Sequence, residues 1–134
     1  STEDIVATKF VIIVRGGTDY NQLRRQMMSL SDKSGWEVDT LGRGFIQETG
    51  QIALPINHED ELYAGHYFHK RYDTESLSVE YLSAYQESAN SDILALVAGI
   101  YSDRSTAQEA LKRLKRYEPE AYLLESQLYM GCAH

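Results

Sequence analysis

The chain is nearly without cysteine. Cys132 is the only one in 134 residues, so no disulfide can form within the chain; a missing disulfide does not assign a compartment, because many periplasmic proteins carry none. There are only two prolines, and no low-complexity run or flexible linker divides the sequence, so one domain spanning 1–134 is expected. No apolar run approaches the roughly 18 residues that cross a bilayer, and no transmembrane segment is expected. Positive charge is also scarce. Thirteen Lys and Arg stand against twenty Asp and Glu, a net charge of −7, which disfavours nucleic acid and anionic membranes as partners. Arg24, Arg25 and the cluster Lys112, Arg113, Lys115 and Arg116 read instead as solvated helix faces. No signal peptide pattern is visible, and Ser1-Thr2-Glu3-Asp4 fits a mature end left by leader removal.

Strong catalytic signatures are missing too. There is no G-x-S-x-G elbow and no G-x-x-x-x-G-K-[ST] loop; Gly16-Gly17 and Gly42-Arg43-Gly44 read as tight turns. His66 and His69 are three apart, just after His58, Glu59, Asp60 and Glu61. On a strand that spacing points to opposite faces, so neither a metal site nor a cofactor is expected. Cys132 and His134 lie at the chain end. Nothing singles out a nucleophile with its base and orienting group, and the chain is expected not to be an enzyme.

What is present is a pattern that occurs twice. Phe10–Val14 runs through Gly16-Gly17 to Asp19, and Leu94–Ala98 runs through Gly99 to Asp103. Along one offset Phe10 falls on Leu94, Ile12 on Leu96, Leu23 on Ala107, Met27 on Leu111, Leu30 on Leu114, Val38 on Tyr122 and Phe45 on Tyr129. Each apolar run predicts a buried strand. Tyr20, Leu23, Met27 and Leu30 predict one amphipathic helix; Ala107, Ala110, Leu111, Leu114 and Tyr117 predict a second. Asp19 is suited to cap the first, with Ser34-Gly35 at its end; Ser102 or Asp103 caps the second, with Thr106 and Glu109 as an alternative box, and Pro119 stops it. Trp36–Leu41 alternates like the strand that closes the first unit, and 122–130 closes the second.

The fold expected is an α+β two-layer sandwich of ferredoxin-like type with a mainly antiparallel sheet. Its parts are a first βαβ unit (9–50), a Tyr- and His-rich insertion (51–91) and a second βαβ unit (92–134). Within the insertion, Leu77, Val79 and Tyr81 alternate as a strand leading into the polar turn 86–92, although Leu77, Tyr81 and Tyr85 also fit a helix face. Both main strands are apolar on both sides. Helices cover only one face, so the other needs a cover: the Tyr63–Tyr85 segment, a second copy of the chain, or both.

The segment Leu96-Val97-Ala98-Gly99-Ile100-Tyr101, followed by Ala107 and the Leu111/Leu114 face, resembles the SPOR (sporulation-related repeat) domain. In that family a V-Q-V-G-x-F-like strand leads into a helix with an early alanine, and two such halves form a βαββαβ sandwich. Residues 93–131 carry the match and 9–48 carry it loosely; Val97 stands where the family has glutamine. The resemblance implies a noncatalytic binding module of the bacterial periplasm or cell envelope that binds peptidoglycan glycan strands, or a protein partner. Because the sheet face is apolar, contact is expected at a rim of Gly99, Tyr101 and Tyr129. The alternatives from the residues are a homodimeric structural or regulatory domain using the apolar sheet face, a small enzyme using the His-rich insertion, and a cytoplasmic location.

Overall fold

The computed structural model describes residues 3–133, and the side chains of residues 5–131. The elements are β1 (Glu3–Gly17), α1 (Tyr20–Ser34), β2 (Gly44–Ile46), β3 (Gln51–Ala53), β4 (Ser78–Tyr81), β5 (Leu94–Tyr101), α2 (Arg104–Leu114) and β6 (Tyr122–Ala133), with a single 3-10 turn at Leu82–Ala84. Four strands make one sheet in the order β4-β5-β1-β6, every pair antiparallel. With α1 following β1 and α2 following β5, this is the ferredoxin-like α+β sandwich. β2 and β3 form a separate two-stranded hairpin.

The repeated pattern holds through both helices. α1 and α2 begin at Tyr20 and Arg104, 84 residues apart. Each is capped by an aspartate: Asp19 accepts the Gln22 amide at 3.2 Å and Asp103 accepts the Thr106 amide at 2.9 Å. Those side chains satisfy N–H groups that have no partner within the helix. Gly35 ends α1 at φ 77°, a conformation open to glycine at little steric cost. α2 ends at Leu114, five residues before Pro119.

Beyond the helices the two halves diverge. Residues 36–41 do not form the expected strand: only Val38 bridges, in parallel, to Leu77. Two features account for this. The Trp36 ring is buried in the core, and the backbone turns left-handed at Leu41 and Gly42, with φ of 54° and 76°. The strand position next to β5 goes instead to β4, from the middle of the chain. The residues added to the simple βαββαβ plan therefore lie between α1 and β4.

The sheet buries both faces. Towards the helices, Phe10, Ile12, Val14, Leu94, Leu96 and Ala98 meet Leu23, Met27, Leu30, Ala107, Ala110 and Leu114. Leu111, expected in the core beside Leu114, is only partly buried at its margin. On the opposite face Val11, Ile13, Ala95 and Val97 are fully buried with Ile100, Leu128 and Tyr85, and Leu82, Ala84, Leu124 and Met130 border them. The cover comes from this same chain: the stretch after β4 folds over the sheet, and the Ser126 hydroxyl on β6 donates to the Tyr85 carbonyl.

β5 changes parity near its end. Ile12 pairs with Gly99 and Ile13 with Val97, so Ala98 is an extra, bulged residue. Past it, Ile100 faces the back core while Tyr101 joins the helix-side core. The carbonyl of Ala98, which has no register partner on β1, accepts the Trp36 indole N–H at 2.7 Å. A bulge leaves such groups outside the ladder, where a side chain must satisfy them.

Candidate functional site

Most of the remaining chemistry lies between β3 and β4. Leu54 donates its amide to the His66 carbonyl at 2.9 Å, and Gly65 donates to the Leu54 carbonyl at 3.0 Å, closing residues 54–66 into a loop. The chain then returns to the sheet. Thr74 exchanges backbone hydrogen bonds with Ile100 at 3.0 and 2.8 Å, and Lys9 Nζ on β1 holds Asp73 Oδ1 at 2.6 Å.

Arg43 ties these parts together from a buried position. It donates from Nη1 and Nη2 to the two Glu80 oxygens at 2.6 and 2.5 Å, from Nε to the Thr40 carbonyl at 2.8 Å, and from Nη1 to the Phe68 carbonyl at 3.2 Å. Glu80, on β4, is fully enclosed and also accepts the Tyr67 hydroxyl at 2.7 Å. Burial alone would raise the Glu80 carboxyl, but the Arg43 guanidinium, helped by the Tyr67 hydroxyl, outweighs it and holds the group below its ordinary value. Burial and the Glu80 charge push the Tyr67 phenol up; Tyr85 rises mainly through burial. Both phenols are therefore protonated donors, and the Tyr85 hydroxyl donates to the Lys70 carbonyl at 2.6 Å. This network fixes the Thr40–Arg43 turn against the 67–70 strip.

Between that turn and residues 63–74 opens a half-open pocket of about 540 Å³. Leu41, Leu54, Tyr63, Phe68 and Tyr72 make its apolar wall, while Asp39, Lys70 and Arg71 add polar groups. The Tyr63 and Phe68 rings meet edge to face with centroids 5.1 Å apart, and the Arg71 guanidinium lies over the Tyr72 ring at 5.4 Å. Tyr72 is 64% exposed and Leu41 49%. Leu41 is the one non-glycine residue at positive φ among the described residues. A left-handed conformation disfavours a leucine by roughly 1–2 kcal/mol, so its side chain is held at the pocket mouth against a local preference. Such outliers collect at ligand sites.

The histidines do not converge. His58 Nδ1 accepts the Asp60 amide at 3.0 Å, exposed His66 lies 6.4 Å from the Phe68 ring, and His69 packs edge-on to Tyr85 at 6.1 Å. Burial, with the nearby Arg71 charge, lowers the His69 imidazole below its ordinary value. Among the described residues no group of three His, Cys, Asp or Glu lies close enough to hold a metal ion. The Cys132–His134 pair lies outside the described side chains.

The rim residues are placed as follows. Gly99 sits directly beneath the Tyr101 ring: a Cβ on Gly99 would meet that ring's atoms at 2.5–2.8 Å. Tyr101 is 7% exposed, and its hydroxyl donates to Glu75 at 2.8 Å, where Arg113 also binds. Burial and the Glu75 carboxylate both raise its phenol. Tyr129 is elsewhere. Tyr101 pairs with Phe10 on one side of β1, and Tyr129 with Val6 on the other; four residues and two strand spacings separate them by about 16 Å. Gly99 and Tyr101 are therefore brought together, and Tyr129 is not.

Sequence reading singled out the Tyr- and His-rich stretch but missed Arg43, Glu80 and Lys70 within the site. The Gly42-Arg43-Gly44 turn was legible; that its arginine reaches a glutamate 37 residues on had no local signal. Comparison of the chain with family models, characterised proteins and solved structures finds no match. Among the described residues no helix is long and apolar enough to cross a membrane.

Proposed function

We propose that this protein is a noncatalytic binding module that holds its ligand in the pocket between the Thr40–Arg43 turn and residues 63–74. The observation that carries this reading is Leu41, a half-exposed leucine kept in a left-handed conformation at the mouth of an aromatic-walled pocket. Exposed Tyr63, Phe68 and Tyr72 supply flat apolar surfaces, and Asp39 and Arg71 supply hydrogen-bonding groups beside them. That combination suits a glycan, whose ring faces are apolar and whose edges carry hydroxyls.

The resemblance of the strand–glycine–helix units to SPOR domains makes the glycan strand of peptidoglycan the ligand of choice and the bacterial periplasm or envelope its setting. Contact through the sheet face away from the helices is closed to a glycan, because that face is buried under Tyr85 and its neighbours. The same burial removes the motive for a homodimer through that face. In this reading Tyr101 supports the fold beneath Glu75 and Arg113, and contact with the glycan falls to Tyr63, Phe68 and Tyr72.

Retention of the purified protein on peptidoglycan sacculi tests the proposal. Tyr72→Ala should weaken retention about threefold to tenfold, the worth of one aromatic contact, with the thermal transition unchanged. Absence of retention by the wild-type chain, or retention indifferent to both Tyr72→Ala and Phe68→Ala, would overturn it.

A further inference from the structure

Two lysines of this chain are buried, and they are treated differently. Lys9 is 8% exposed and its ammonium meets Asp73 Oδ1 at 2.6 Å and Ser102 Oγ at 2.9 Å. Lys70 is 2% exposed, and among the described residues its Nζ donates to Ser76 Oγ alone, at 3.0 Å. No carboxylate of the described residues forms an ion pair with it; Glu80, the nearest buried acid in sequence, is taken up by Arg43. An ammonium carries three donors and a full charge, and lysines are almost never buried so completely without a partner. One neutral hydroxyl does not balance that charge, whereas it suits a neutral amine with a free electron pair. Burial accordingly lowers the Lys70 amine below its ordinary value, against the opposing pull of Glu80 and Asp39, and the Arg43 charge lowers it further. Lys70 also lines the pocket, with Leu41, Phe68 and Tyr72.

We propose that Lys70 captures carbonyl-bearing ligands of this pocket covalently, as an imine. The geometry that carries this is a buried lysine with no ion-pair partner, at a position that lines a half-open, aromatic-walled cavity. Desolvation among apolar groups and proximity to other cations are what make a lysine nucleophilic. The Lys70 nitrogen adds to the carbonyl carbon, forming the C–N bond while the C=O π pair moves to oxygen. Both protons of the neutral amine then leave with that oxygen as one water, and the C=N bond forms. No oxidant or reductant is consumed. The Ser76 hydroxyl, itself 2.8 Å from Thr74 Oγ1, stands next to the nitrogen throughout and can pass protons. The apolar walls favour an aryl or alkyl aldehyde or ketone over a small hydrophilic one.

The inference rests on the pocket being a ligand site, and adds a covalent mode to it. The full chain is incubated at pH 7 with benzaldehyde and sodium cyanoborohydride, which reduces the imine to a stable benzylamine, then digested and mapped by mass spectrometry. The benzyl group is expected on Lys70 at an aldehyde concentration too low to modify the exposed Lys33, Lys112 and Lys115 or the ion-paired Lys9. Lys70→Arg and Lys70→Met should each lose the adduct; the wild-type map decides the matter even where a variant fails to fold. Labelling confined to exposed lysines or the terminal amine, or no labelling, overturns the proposal. Sacculus retention measured on the same preparation separates the two readings. Retention without a Lys70 adduct removes only the imine, and an adduct without retention removes only the glycan.

Discussion

The Trp36 indole N–H donates to the carbonyl of Ala98 at 2.7 Å, which joins the end of α1 to the one bulged position of β5. The bond satisfies a carbonyl that the ladder leaves out, in a place closed to water. Trp36→Phe keeps most of the ring but removes the donor. An unsatisfied buried carbonyl costs about 1–3 kcal/mol, and the denaturation midpoint should fall accordingly. A midpoint equal to wild type would mean that water or a shifted backbone replaces the indole.

Breaking the Arg43–Glu80 pair should cost more than the loss of any other single polar contact, because both members are buried. Removing one member leaves the other charge buried and alone, which typically costs about 3–5 kcal/mol. Glu80→Ala and Arg43→Ala should each approach that loss in chemical denaturation, and the double replacement should cost less than their sum. Additive losses would show that the two charges are not coupled.

Acid should expose the same pair. The folded Glu80 carboxyl lies below its ordinary value of 4.5. A depressed folded value means that the stabilisation is fully present above the unfolded value and is lost as pH falls through the folded one. Stability should therefore be flat on this account near neutrality and fall below about pH 4.5. The Glu80→Gln variant should show a shallower acid slope than wild type in a series of urea melts. Parallel slopes would remove Glu80 from the acid response.

Gly99 and Tyr101 should behave as one unit. A Cβ on Gly99 would lie 2.5 Å from the Tyr101 hydroxyl, so the ring must move and its bond to Glu75 must break. Gly99→Ala should destabilise by about 1–3 kcal/mol, as overpacking does. In a Tyr101→Ala background the same change should be nearly neutral. A coupling of about zero in that double-mutant cycle, where contacting residues ordinarily show 0.5–3 kcal/mol, would place the ring elsewhere.

The two leucines of α2 should differ. Leu114 has no exposed surface, and Leu114→Ala should cost about 2–5 kcal/mol. Leu111 is only partly buried, so Leu111→Ala should cost about 1–2 kcal/mol, in proportion to the apolar area it hides. Equal losses on urea denaturation would indicate that the helix is rotated towards Leu111.

The amino-acid sequence by itself determined the parts of this protein that depend on short-range order. The periodicity of Leu23, Met27 and Leu30, the aspartates at 19 and 103, Gly35 and the apolar runs at 10–14 and 94–98 all act within a few residues of themselves. Each was legible for that reason, and together they specified two strand–helix units and an α+β sandwich. Leu77, Val79 and Tyr81 likewise announced a strand. The tertiary structure alone decided what that strand was for. Alternation reports that a segment can pair, and both 36–41 and 77–81 alternate; the core accepted Trp36 as a buried ring and gave the sheet position to β4. The bulge at Ala98 shifted Tyr101 to the helix side, a change of parity that no local pattern encodes. Which chain segment would cover the back of the sheet was equally a matter of long-range burial, resolved by Tyr85. The candidate site belongs to this second class. Arg43, Glu80 and Lys70 are ordinary charged residues in sequence, and their chemistry arises only because the fold removes them from water, joining the first two in an ion pair and leaving the third with a hydroxyl as its partner.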